Sequence, residues 1–179
     1  GGKFYNTPTV HMISKVNGIV SMTGEKLYEP QFIDAVHKAE KELEIKTKFF
    51  VGFADIQESK YHFYFEFADE KIDQKTADKF AQVVDKKLQE INNEYESKRA
   101  SFRLHDPQAH ILLNNAYARF KAACLRDGFR DGQFKFNLLM QDDKRRRKFD
   151  QIERETTLSD KIIEWANNID NRINDRKER

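Results

Sequence analysis

The chain has 179 residues, enough for one domain with a short appendage and for a core that hides roughly 70% of the unfolded surface. Its 32 basic and 30 acidic residues leave a net charge of +2, so no surplus of Lys and Arg argues for binding along a phosphate backbone. No apolar run approaches the ~20 residues of a membrane span, and no secretory signal opens the chain, although an excised piece would lose one anyway; with a single cysteine, the cytoplasm is the expected compartment.

Val10, Met12, Val16, Val20 and Met22 share one parity, which predicts a strand over 10–23 in which Gly18 marks a bulge or a close backbone approach. Pro30 suits the first turn of a helix, and Phe32, Val36, Ala39 and Leu43 follow at helical spacing. Residues 48–57, with Phe49, Phe50, Val51 and Phe53, read as a strand that ends in a turn at Glu58-Ser59. Tyr61, Phe63, Phe65 and Phe67 then alternate with His62, Tyr64 and Glu66. That is a strand with one apolar face, and it sends His62 toward solvent. Asp73 can cap a helix carrying Ala77, Phe80, Val84, Leu88 and Ile91.

After a polar bend, His110–Leu113 reads as a short strand, and Asn114 as the cap of a helix that reaches Arg126 and stops near Gly128. Cys124 is the single cysteine, which excludes an intrachain disulfide and argues against a thiolate zinc site. It follows Tyr117, Phe120 and Ala123 on an apolar helix face, so a buried structural role is preferred over a nucleophilic one. The first six elements give the order β-α-β-β-α-β. That predicts an α+β fold with an antiparallel or mixed sheet in the split, ferredoxin-like order and helices packed on one face. The basic run Lys144–Lys148 reads as a solvated turn and a boundary. Beyond it a capping-box-like start at Thr157 opens a final helix with the stripe Leu158, Ile162, Trp165, Ile169 and Ile173. The expected division is therefore 1–140 for the main domain and 141–179 for a basic turn and a helical extension.

The chain holds no Walker loop, no nucleophile elbow and no paired-carboxylate signature, and its five histidines show no metal-ligand spacing. Two lysine motifs stand out instead. One runs Asn17-Gly18-Ile19-Val20-Ser21-Met22-Thr23-Gly24-Glu25-Lys26, and the other is Gly132-Gln133-Phe134-Lys135. Each ends in a lysine just past a strand-like or Gly-marked turn, where a side chain can leave the scaffold and reach a ligand. Together with Phe4-Tyr5-Asn6-Thr7-Pro8 and Asn93-Glu94-Tyr95-Glu96-Ser97-Lys98-Arg99, they resemble the C-terminal domain of the Gretchen Hagen auxin-responsive family. The motifs keep the family's order from Phe4 to Leu139.

Family members are acyl-acid amido synthetases of the adenylate-forming superfamily. The resemblance implies a mobile lid domain and, preceding it, a large N-terminal domain that holds most of the site for ATP with Mg2+. It also implies carboxylic acid and amino acid substrates. Gly1-Gly2 reads as an arbitrary start, and the chain is expected to be a piece that is inactive alone. By the resemblance, Lys26 contacts the nucleotide, Lys135 belongs to the catalytic set for adenylation, and Lys15 lies in the segment that joins the two domains. There are departures. Phe136-Asn137-Leu138 stands where the family commonly has Pro-Arg after the second lysine, and Gly24-Glu25-Lys26 replaces an Asp-Lys pair. The chain would thus sit among distant, non-plant-like members.

Tyr95 is expected to pack, and Arg99 to pair with a carboxylate or approach the partner domain. The alternative to the synthetase reading is an RNA-recognition-like module, whose β-α-β-β-α-β order is the same and in which Tyr61, Phe63 and Phe65 would stack bases. It is disfavoured because Lys60–Phe67 lacks the glycines of the ribonucleoprotein signature. A degenerate lid that only mediates protein contact is the third possibility.

Overall fold

The protein is described from a computed structural model, which covers residues 3–4, 7–8, 18–128 and 136–153. Two short ribbons come first. Strands β1 (Lys3–Phe4) and β2 (Thr7–Pro8) pair antiparallel, as do β3 (Ile19–Val20) and β4 (Leu27–Tyr28). Of the strand expected over 10–23, residues 9–17 lie outside the described residues, and Ile19–Val20 belong to the second ribbon. Helix α1 (Glu29–Leu43) follows at once, with Pro30 in its first turn.

The central sheet uses β5 (Thr47–Asp55), β6 (Lys60–Phe67), β7 (Gln108–Ile111) and β8 (Leu139–Met140) in the order β7-β6-β5-β8. The β5–β6 pair is an antiparallel hairpin, and both outer strands run parallel to their neighbours, so the sheet is mixed. Helices α2 (Gln74–Ile91) and α3 (Asn93–Ala100) make the crossover from β6 to β7. Helix α4 (Ala116–Arg126) leads toward β8, and a fifth helix, α5, spans 143–153. The fold is α+β, as the element order implies.

Helices cover both faces of the sheet, not one. On the first face Phe32, Val36 and Ala39 of α1 and Phe80, Val84 and Leu88 of α2 meet Phe50, Tyr61, Phe63 and Phe65. The Phe65 and Phe80 rings stand edge to face at 5.0 Å. On the second face Phe120 and Cys124 of α4 and Phe149 of α5 meet Val51, Phe53 and Tyr64. Phe120 and Phe149 stack at 4.4 Å. Gly52 is where α1 and β8 crowd β5: a Cβ there would come within 3.1 Å of both Phe32 and Leu139.

The second layer corrects three expectations. His62 does not face solvent; it is 4% exposed, and its Nδ1 lies 2.8 Å from His110 Nε2 on the neighbouring strand. Lys144–Lys148 are not a turn but lie within α5, which places Phe149 in the core. Asn114 does not cap α4. The cap position is Asn115, and the helix start is held by Glu66 of β6, whose carboxylate accepts from the backbone N–H of Asn115 and Ala116 at 2.9 Å each. Asp73 does cap α2, accepting from the Thr76 N–H at 2.9 Å. Cys124 is buried, and burial pushes its thiol up, which removes the thiolate a nucleophile requires. The stripe from Leu158 to Ile173 lies outside the described residues. Among the described residues no helix is long and apolar enough to cross a membrane.

Candidate functional site

Lys26 stands at the mouth of the β3–β4 ribbon, exposed, in a left-handed backbone conformation with φ 35°. The residue before it does the opposite and turns fully inward. Glu25 is 0% exposed, and its carboxylate accepts from the N–H of Met22 at 2.9 Å and of Thr23 at 2.8 Å. The Tyr61 hydroxyl donates to the same carboxylate from the core at 2.7 Å. Burial alone would raise the Glu25 carboxyl, but the bonds from Met22, Tyr61 and Thr23 outweigh it and hold the group below the ordinary carboxylate value. Burial, then the facing Glu25 charge, pushes the Tyr61 hydroxyl far up, so it stays a proton donor. One buried carboxylate thus closes the loop 21–26 on itself and bolts it to β6.

Asn92, the junction of α2 and α3, fixes the other side of the loop. Its Nδ2 donates to the carbonyls of Glu25 at 3.3 Å and Lys26 at 3.2 Å and to Gln31 Oε1 at 3.0 Å. Its Oδ1 accepts from the Tyr95 N–H at 3.0 Å and so starts α3. Tyr95 is buried and donates to Asp85 at 2.6 Å, and Arg99 pairs with the same carboxylate at 3.1 Å. The motif Asn93–Arg99 is therefore the buttress beneath the Lys26 loop. It also supplies a second cation, because Lys98 Nζ lies 3.8 Å from where a Cβ would sit on Gly24. Two lysines consequently flank the Gly24 turn.

Glu29 links the two lysine motifs. Its N–H donates to the Gly18 carbonyl at 2.8 Å, and its Oε2 accepts from the Leu138 N–H at 2.9 Å. Gly18, with φ 102°, must be small, since a Cβ would reach 3.0 Å from Glu29 Cβ. The start of the first motif and the segment just past the second are therefore held on one residue, the first by its backbone N–H and the second by its carboxylate. Lys135 and Lys15 themselves lie outside the described residues. Phe136, the next residue after Lys135, packs with its ring 5.7 Å from Phe49 and 5.3 Å from Phe120. An aromatic in the position of the family's proline is thus used as an anchor. The resemblance gave a role to Lys26 but none to Asn92, to Glu29 or to Lys98 within the Asn93–Arg99 motif, because their roles depend on contacts between residues distant in the chain.

The model of the GH3 family C-terminal domain matches residues 30–144. The chain belongs to the GH3, or Gretchen Hagen, family. Among solved structures it is similar to a GH3.15 acyl acid amido synthetase, with a TM-score of 0.63 and 15% identity over 77% of this chain and 26% of that one. A second, the AtGH3.15 acyl acid amido synthetase in complex with 2,4-DB, gives a TM-score of 0.61 and 14% identity over 76% of this chain and 26% of that one. At such identities the likeness is one of fold, and the chain spans about a quarter of the length of these synthetases. No curated protein sequence matches.

Proposed function

We propose that this GH3 domain is the mobile C-terminal part of an ATP-dependent acyl-acid amido synthetase. It closes over an N-terminal domain of the same chain, assists attack of a carboxylate on the α-phosphate of Mg2+-bound ATP with departure of pyrophosphate, then reorients so that the amine of an amino acid takes the acyl group and AMP leaves. The observation that carries this reading is the Lys26 loop, a long cationic side chain held out from a loop that Tyr61 fixes on one side and Asn92 on the other. Adenylation gathers negative charge on phosphate oxygens, and a cation already positioned there lowers the barrier without reorganising. Lys98 is placed to add a second positive charge. Lys135 serves adenylation from the segment anchored by Phe136, and Lys15 acts at the hinge. Closure keeps water from the acyl-adenylate. Such an enzyme would work in the cytoplasm. The RNA reading finds no support on the aromatic row, since Tyr61, Phe63 and Phe65 are fully buried beneath α1 and α2.

The test is acid-dependent ATP–pyrophosphate exchange by the full-length protein across a panel of carboxylic acids. A lysine–phosphate contact contributes roughly 1.5–3 kcal/mol. Lys26→Ala and Lys135→Ala are each expected to slow exchange at least ~10-fold. Near-normal exchange in both variants would sink the assignment.

A further inference from the structure

At the far tip of the β5–β6 hairpin, ligand atoms of Asp55, Glu58 and His62 all lie within 4.8 Å of one another. The three residues sit at i, i+3 and i+7 across a tight turn, a spacing that no linear metal motif announces. We propose that they bind a zinc-type divalent ion, with Asp55 Oδ2, a Glu58 carboxylate oxygen and His62 Nε2 as ligands.

His62 is the observation that points to an ion. Its side chain is 94% buried, being 6% exposed, and its Nε2 has no hydrogen-bond partner among the described residues. That nitrogen faces Asp55 Oδ2 across 3.7 Å, too far for a hydrogen bond. The other ring nitrogen is committed, because Nδ1 contacts His110 Nε2 at 2.8 Å. His110 Nδ1 in turn lies 2.7 Å from the Glu153 carboxylate, off the line of a good hydrogen bond. A bare lone pair so close to an anion is repulsive, so the His110 proton belongs on Nδ1. His110 Nε2 is then an acceptor, His62 Nδ1 carries the donated proton, and the lone pair of His62 is left on Nε2, pointing at Asp55. A ligating histidine commonly has this arrangement, its second nitrogen donating into an orienting chain. A lone pair and a carboxylate facing each other make a site that a small cation can bridge, although the Arg146 guanidinium already approaches the same Asp55 Oδ2.

Asp55 is prepared in the same way. Its Oδ1 accepts from the N–H of Gln57 at 2.9 Å and of Glu58 at 3.1 Å, which aims Oδ2 at His62. Glu58 is 55% exposed, so its carboxylate can leave Lys60 and swing inward. Zinc bonds of about 2.0–2.2 Å bring donors closer together than they stand now, and the exposed Glu58 side chain can close that gap. Imidazole with carboxylates suits zinc better than magnesium, which prefers all-oxygen shells. Arg146, 3.1 Å from Asp55 Oδ2, and Lys60, 2.7 Å from Glu58, balance the two carboxylates at present. A doubly charged ion would displace both contacts, so they weaken binding without blocking it.

The experiment is calorimetric titration of the 179-residue chain with zinc chloride, with magnesium chloride as the comparison and circular dichroism to confirm folding. One zinc per chain is expected, with no comparable magnesium binding. Glu58→Gln, at an exposed position that leaves the core intact, should weaken zinc at least ~10-fold. His62→Gln should abolish it; if that variant fails to fold, Glu58→Gln decides. Absence of zinc uptake by the folded chain, equal uptake of magnesium, or unchanged affinity in Glu58→Gln would each overturn the site.

Discussion

Glu25 and Lys26 are adjacent, yet the protein uses them in opposite ways. Glu25 gives its charge to the inside of a loop, while Lys26 gives its charge to the outside. Their mutational signatures should therefore separate. In Glu25→Gln the amide can satisfy only part of the set formed by Met22 N–H, Thr23 N–H and Tyr61 OH, and a buried donor left without an acceptor costs about 1–3 kcal/mol. The pH dependence follows from the same contacts. The folded Glu25 carboxyl lies below its ordinary value of 4.5, so at low pH the unfolded chain takes up the proton first. The stability it contributes is fully present above pH 4.5 and is lost as pH falls through the lower folded value. Urea titrations at pH 7 and across the acid limb should show Glu25→Gln less stable at neutral pH and less sensitive to acid than the parent. Lys26→Ala should stay within ~0.5 kcal/mol of the parent, because its side chain is exposed. A large stability loss there would mean that Lys26 is part of the scaffold.

Among the elements, the α2–α3 junction controls the site. Asn92 is at once the last link of α2, the cap of α3 and the donor that holds the Lys26 loop. Asn92→Ala removes a helix cap and leaves buried carbonyls without their donor, for an expected loss of about 2–3 kcal/mol by chemical denaturation. Amide exchange at Gly24–Leu27 should accelerate along with it, whereas a cap alone would loosen only the start of α3. Existence and type of the long elements were legible in the sequence: Phe32 to Leu43, Tyr61 to Phe67 and Ala77 to Ile91 each carry their period plainly. The polar face of β6 was not legible. His62 and Glu66 alternate with phenylalanines as solvent-facing residues do, but each is buried and meets a partner about fifty positions away, His110 at Nδ1 of the one and the Asn115 and Ala116 N–H groups at the carboxylate of the other. No local pattern announces such pairing. The basic run was misleading for a simpler reason: Lys and Arg are good helix formers, and Phe149 and Ile152 supply the inward face.

At the scale of the whole molecule, the second helical layer decides where the domain ends. The family match runs to residue 144, and the sequence alone divided the chain at 140. Phe149, five residues past the matched region, is nevertheless 0% exposed and touches Phe49, Phe53, Tyr64 and Phe120. The hydroxyl of Tyr64 donates to Asp150 on the same helix, and Arg146 reaches Asp55 at 3.1 Å. Helix α5 thus closes the face of the sheet that carries Val51 and Phe53. Phe149→Ala would remove the ring from the centre of that layer and leave a cavity among aromatics, with an expected cost of about 3–5 kcal/mol. A chain truncated after residue 140 would expose the Phe53 and Phe120 rings to water, and it should lose its cooperative thermal transition or bind a hydrophobic dye in the cold. If instead 143–153 were an appendage, Phe149→Ala would cost under ~1 kcal/mol and the truncated chain would melt as sharply as the parent. Differential scanning calorimetry of the two variants beside the 179-residue chain distinguishes these outcomes, and with them whether the fold that positions Lys26 requires its fifth helix.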